Sequence, residues 1–224
     1  MSDNGLVERL LSGDRRALAR IISKIEGENP DTRGVISELY PHTGETVTVG
    51  FTGPPGVGKS SIIAGLIELY RVEEKKVGVV SVDPSSPFTK GAILGDRIRL
   101  AEHFLDKNVF IRSMGTRGHL GGLAGASRLA GLAMEAYGMD VVLYETVGVG
   151  QGEVEVASAA DTVVLCLQPG AGDSVQALKA GVMEIADIIC INKADHPQAK
   201  NAASEVRQIL EMGTSSIRTL RCLP

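Results

Sequence analysis

Gly53-Pro-Pro-Gly-Val-Gly-Lys-Ser-Ser61 lies between two apolar runs, Val47-Thr-Val-Gly-Phe51 and Ile62-Ile-Ala-Gly-Leu66-Ile67. The pattern is GxxxxGK[ST], and its flanks give it meaning. A strand delivers the chain into a tight turn and a helix starts at once, so its first N–H groups face an anion. Gly53, Gly56 and Gly58 permit the turn and a close backbone approach, with Pro54, Pro55 and Val57 between them. Lys59 supplies an ammonium for β and γ phosphates, Ser60 a hydroxyl for Mg²⁺, and Ser61 closes the loop. The stretch therefore predicts a nucleoside triphosphate held on a helix N-terminus.

The 224 residues are 43% hydrophobic, enough for a sizeable core, and aromatics make up only 4% with no Trp. Such a core is filled by Val, Ile, Leu and Ala, as in a parallel sheet covered by helices on both faces. A net charge of −4 disfavours nucleic acid and anionic lipid as partners. Cys166, Cys190 and Cys222 have neither zinc-ligand nor disulfide spacing. The first residues lack the basic-then-apolar pattern of a secretory signal, and no apolar run is long enough to span a bilayer. A soluble, reducing, cytoplasmic setting is expected.

Apolar positions at Leu6, Leu10, Leu11, Leu18, Ile21, Ile22 and Ile25 predict one or two amphipathic helices, ending near Gly27 to Asp31. Strands are expected at 46–52, 77–82, 109–113, 140–145, 162–167 and 188–191. Helices are expected from Lys59 onward and near 96–104, 123–137, 174–185 and 198–212. This alternation implies an α/β fold: a doubly wound, mostly parallel sheet with helices on both faces, preceded by N-terminal helices. The organisation expected is a helical extension over 1–40, a P-loop domain over 41–212 and an atypical tail over 213–224.

Asn192-Lys193-Ala194-Asp195 comes directly off the apolar run Ile188-Ile-Cys-Ile191. Guanine presents N1–H and an exocyclic amine as adjacent donors, and the single carboxylate of Asp195 accepts from both. Adenine lacks that amine, so Asp195 selects GTP and GDP over the adenine nucleotides. Asn192 braces the loop and Lys193 lays its methylene stem over the base. Between the two motifs, Glu145-Thr146-Val147-Gly148 ends the run Val141-Val-Leu-Tyr144. Glu145 is placed to reach a Mg²⁺ shell and Gly148 to present its N–H to the γ-phosphate. Asp83, ending the run at 77–82, is a second candidate for the metal shell. His119 stands among glycines as a loop hydrogen-bonding residue.

These blocks resemble the MeaB family, GTPases that chaperone adenosylcobalamin-dependent acyl-CoA mutases, which includes ArgK and the human methylmalonic aciduria type A protein. The resemblance runs from about residue 6 to about residue 196. It also covers Val82-Asp-Pro-Ser-Ser-Pro87, Gly95-Asp-Arg97, Gly115-Thr-Arg-Gly-His-Leu-Gly-Gly122, Glu145 to Gln151 and Gln168-Pro-Gly-Ala-Gly-Asp173. It implies that Asp83 and Asp96 stand near Mg²⁺ and the first switch, with Lys59 and Glu145 completing the catalytic set. Ser60, Asp83, Asp96 and Glu145 are then the metal set. It further implies that Glu145 to Gln151 form a second switch. Asp173, Gln176 and Lys179 form a third, relaying nucleotide state to the mutase.

Val149 stands where a self-sufficient GTPase often carries the Gln that orients water, and Gln151 is offset, so slow intrinsic hydrolysis is expected. Position 54 is Pro, so the extra lysine of the deviant phosphate loop is missing. The family continues with a further strand, a second guanine-contacting loop and a dimerisation arm, whereas this sequence stops about thirty residues after Asp195. The tail from Gly213 to Pro224 is expected to lack that strand and arm, as in a truncated or frame-shifted product. Two alternative classes are a nickel-insertion accessory GTPase, opposed by the absence of a His-rich tract and Cys-pair ligands, and a small-substrate kinase or transport ATPase.

Overall fold

The computed structural model describes residues 4–27, 31–83, 100–115, 122–146, 155, 157, 159–170, 182–212 and 219–222. Three helices come first: α1 (Asn4–Leu11), α2 (Arg15–Glu26) and α3 (Thr32–Leu39). Asp14 caps α2, its carboxylate accepting from the amides of Arg16 and Ala17 while Arg9 pairs with it. Then follow β1 (Val47–Thr52), α4 (Lys59–Val72), β2 (Val77–Asp83), a 3₁₀ turn at Ala101–Leu105, β3 (Val109–Gly115) and α5 (Gly122–Ala136). The chain continues through β4 (Val141–Thr146), β5 (Thr162–Leu167), α6 (Val182–Ile185), β6 (Ile188–Ile191), α7 (Ala199–Met212) and β7 (Thr219–Cys222).

The strands form one sheet in the order β3-β2-β4-β1-β5-β6-β7, and every neighbouring pair runs parallel. After β1 the chain moves outward to β2 and β3, returns to β4 at one side of β1, and places β5 on the other. The order therefore reverses at β1, which puts the crevice at the carboxyl end of that strand. The phosphate loop leaves β1 at that point.

Strand alternation distributes the core. In β4, Val141 and Leu143 face α4, packing with Phe51, Ile63, Ile67 and Cys166. Val142 and Tyr144 face the opposite side, packing with Met134 of α5 and with Leu10, Leu18, Ile21 and Ile22 of the N-terminal helices. This apolar cluster runs unbroken across position 40. Arg112 of β3 pairs with Glu26 at 2.6 Å, and Arg15 lies 5.2 Å from the Phe110 ring, fastening α2 to the sheet edge. A third cluster joins Leu165, Leu167, Ile189 and Ile191 to Val182, Met183 and Val206.

Three elements differ from the sequence expectation. α3 was not expected as a separate helix; Val35 and Leu39, four residues apart, bury its inner face and give it a reason to form despite its eight residues. The tail was expected to leave the sheet without a further strand. Instead Thr219–Cys222 pairs in parallel with β6 in register Ile188 with Thr219 through Ile191 with Cys222. The physical reason is edge coverage, since β6 would otherwise present unsatisfied backbone groups. The predicted helix over 96–104 is met only by the 3₁₀ turn at Ala101–Leu105; the part before Leu100 lies outside the described residues, as do 174–181.

Candidate functional site

The loop after β1 owes its shape to three glycines in the left-handed half of backbone space: Gly53 (φ 140°), Gly56 (φ 77°) and Gly58 (φ 99°). At Gly53 a Cβ would stand 2.1 Å from the carbonyl oxygen of Cys166, so β1 and β5 approach there more closely than any side chain allows. Gly58 caps α4 and turns the chain directly into its first turn. Pro54 and Val57 are buried, while Pro55, Gly56 and Ser61 face outward.

Lys59 and Ser60 open α4 and are both buried, 6% and 3% exposed. The Lys59 ammonium donates to the carbonyls of Gly53 (2.6 Å) and Pro54 (2.9 Å), folding back over the loop. Ser60 donates its hydroxyl to Oε1 of Glu145 at 2.5 Å. Glu145 follows Val141 and Leu143 on the face of β4 toward α4, and only 2% of it is exposed. A hydroxyl and a carboxylate in contact in a buried pocket are hard oxygen donors, the set that Mg²⁺ prefers. The residues present thus fit that ion. Thr146, on the other face, donates to the Phe51 carbonyl at 3.1 Å and holds the ends of β4 and β1 together.

The NKxD segment docks on this loop. Asn192 donates from Nδ2 to the Val57 carbonyl at 2.7 Å, and its own amide donates to the Leu167 carbonyl at 2.9 Å. Lys193 takes a left-handed backbone (φ 57°) and donates from Nζ to the Gly56 carbonyl at 3.0 Å and to Oε1 of Gln168 at 2.5 Å. Asp195 is exposed two residues on, its carboxylate available to a base. Gln168 received no individual role from the sequence. The only hint was its place in the Gln168-Pro-Gly block, because its partner lies 25 residues away and only the fold joins them.

Beneath the loop, Cys166 of β5 and Cys190 of β6 are register partners. The thiol of Cys166 donates to Cys190 and is buried, and both effects push it well up, so it stays protonated as core filling. Asp83 is the last residue of β2, paired with Gly115. Asp96, His119, Gly148, Val149, Gln151, Asp173, Gln176 and Lys179 lie outside the described residues.

A strand-to-helix loop at the switch point, with Lys59 and Ser60 opening its helix and the Asn192–Asp195 segment docked on it, defines a P-loop GTPase. The family model described as methylmalonyl Co-A mutase-associated GTPase MeaB matches residues 18–221, and the chain belongs to that family. A relative from Pyrococcus abyssi is 52% identical over 219 residues, covering 98% of this chain and 68% of the relative. The methylmalonic aciduria type A homolog, mitochondrial, of Caenorhabditis briggsae is 37% identical over 91% of this chain and 53% of its own length. Among solved structures, that of a LAO/AO transport system kinase superposes with a TM-score of 0.73 at 30% identity, covering 98% of this chain and 68% of the other. The chain spans between half and about two thirds of the length of these relatives. The family match reaches past Asp195 and through most of β7, beyond the residues on which the sequence resemblance rested. Among the described residues, no helix is long and apolar enough to cross a membrane.

Proposed function

We propose that this chain is a GTP-hydrolysing switch that gates adenosylcobalamin loading and protection of an acyl-CoA mutase of the methylmalonyl-CoA mutase type. One observation carries the reading: the family whose description names a mutase-associated GTPase matches almost the whole chain. In it, the loop amides and Lys59 hold the β and γ phosphates, and Asp195 reads guanine. Ser60 and Glu145 would hold Mg²⁺, and Asp83 and Asp96 complete the proposed metal set. When bound, Mg²⁺ neutralises charge on the transferring phosphoryl group.

Lys59 exchanges the carbonyls of Gly53 and Pro54 for phosphate oxygens when nucleotide enters. Gly148 senses the γ-phosphate through its N–H, and its loss on hydrolysis releases the segment from Glu145 to Gln151. Val149 offers no group to orient water, so the intrinsic rate is slow and rises when the mutase orders these loops. Asp173, Gln176 and Lys179 relay the nucleotide state to the mutase.

The experiment is association with purified methylmalonyl-CoA mutase, measured with the chain loaded in turn with GDP and with a non-hydrolysable GTP analogue. Nucleotide-dependent binding, with hydrolysis faster in the complex, is expected. Equal absence of binding in both states sinks the chaperone reading, and fast single-turnover hydrolysis by the isolated chain sinks the partner-dependent rate.

A further inference from the structure

The outer surface of α4 carries a second group of metal-ligating side chains, away from the phosphate loop. Glu68 on α4 and Glu102 and His103 in the 3₁₀ turn at Ala101–Leu105 each offer one ligand atom, all within 4.8 Å of one another. His103 Nε2 lies 3.8 Å from Oε1 of Glu102, too far for a hydrogen bond. The His103 side chain is only 11% exposed. Its Nε2 atom is inaccessible to solvent and has no hydrogen-bond partner among the described residues. A buried polar nitrogen of this kind costs stability unless something meets it. Here the ring offers a nitrogen within 4.8 Å of a carboxylate oxygen from each of two exposed glutamates.

The two elements are already fastened next to that space. Arg71, one turn beyond Glu68 on α4, pairs through Nε with Oδ2 of Asp106 at 2.8 Å, directly after the 3₁₀ turn. The positions of Glu68 and His103 relative to each other therefore do not depend on an ion. Zinc takes imidazole nitrogen and carboxylate oxygen at about 2.0–2.2 Å, which sets tetrahedral ligand atoms roughly 3.4 Å apart. Closing from the observed spacing needs only rotation of two exposed glutamate side chains. One neutral imidazole and two carboxylates also give the charge that a divalent ion balances, and a nitrogen donor favours a first-row transition ion over Mg²⁺.

We infer that Glu68, Glu102 and His103 form a binding site for a divalent transition-metal ion that ties the 3₁₀ turn to α4, with water completing the coordination. The site is separate from the Ser60 and Glu145 pair and does not depend on the mutase reading.

The test is a zinc titration against a competing chromophoric indicator, with the chain saturated in GDP and Mg²⁺ so that the nucleotide site is filled. Wild type, His103→Ala and Glu68→Gln are compared, with thermal unfolding recorded with and without zinc. Wild type should take up one ion that His103→Ala does not, and Glu68→Gln should bind it at least roughly tenfold more weakly. Zinc should raise the Tm of the wild type by a few degrees and leave that of His103→Ala unmoved. Cobalt substituted in the wild type should give a visible ligand-field band that His103→Ala lacks. Glu68 is exposed on a helix, so its variant folds even if His103→Ala does not. No zinc uptake by the wild type, or uptake by Glu68→Gln within twofold of it, overturns the inference.

Discussion

Asn192 occupies the space that a side chain on Gly58 would need: a Cβ there would stand 2.2 Å from Asn192 Nδ2, which donates to the neighbouring Val57 carbonyl at 2.7 Å. The Asn192–Asp195 segment and the phosphate loop are thus one packed unit. Gly58→Ala both forces a left-handed alanine, at roughly 1–2 kcal/mol, and displaces Asn192. Affinity for a fluorescent GDP analogue should fall at least tenfold with the circular dichroism unchanged. Retained affinity would show that the two loops tolerate separation.

Asp195 sits two residues beyond Lys193, whose ammonium is held by Gly56 and Gln168. Asp195→Ala removes the acceptor for two guanine donors while leaving that tether in place. GTP binding should weaken roughly a hundredfold, while the weak ATP binding stays within a fewfold, because sites built around a hydrogen bond discriminate strongly. Competition of GTP and ATP against one labelled nucleotide measures it. Tight ATP binding by the wild type would refute guanine selection.

Glu145→Gln keeps the shape of the side chain against Ser60 and removes its charge. A neutral amide is a much poorer Mg²⁺ ligand than a carboxylate. The Mg²⁺ concentration for half-maximal GTP hydrolysis should rise about tenfold or more, while GDP binding in excess chelator stays unchanged. An unchanged Mg²⁺ requirement would remove Glu145 from the metal shell.

The hydrogen bond from Arg71 is the main cause holding the Asp106 carboxyl below its ordinary value of 3.8, with the Asn108 amide adding to it. A folded-state value that is lowered contributes stability above the unfolded value, and that contribution is lost as pH falls through the folded one. The pair is partly exposed, so it contributes at most about 1 kcal/mol. Arg71→Ala should lower the Tm near neutral pH, and the gap from wild type should narrow below about pH 4. A gap that is constant with pH would assign the loss to packing alone.

The parallel strands were legible because each is a short apolar run bounded by turn residues, and 162–167 and 188–191 match their observed limits. That the phosphate loop, Glu145 and the NKxD segment come together was legible because each follows an apolar run and so sits at a strand end. α3 was obscured by Gly34 within it and Pro30 ahead of it, and its stabilising contact with α5 is distant in sequence. β7 was obscured because Thr219-Leu-Arg-Cys222 is only four residues long with a charge inside, as suits an edge. The tether of Lys193 to Gln168 and the grouping of Glu68 with His103 arise only when the fold brings separate elements together.

Two glycines of the same helix give opposite expectations. In α5, a Cβ on Gly131 would stand 1.8 Å from the Tyr144 hydroxyl, the rigid end of a ring only 2% exposed, whereas a Cβ on Gly125 meets nothing within 4 Å among the described residues. Alanine is favoured over glycine in a helix by about 1 kcal/mol, so Gly125→Ala should stabilise the chain by up to that amount. Gly131→Ala gains the same propensity but drives Tyr144 into its neighbours, an overpacking that costs about 1–3 kcal/mol and outweighs the gain. Urea unfolding of the two variants beside the wild type should therefore move the midpoint in opposite directions. A rise for both would mean that Tyr144 and α5 separate at little cost, and the close contact that sets the distance between α5 and β4 would have to be given up.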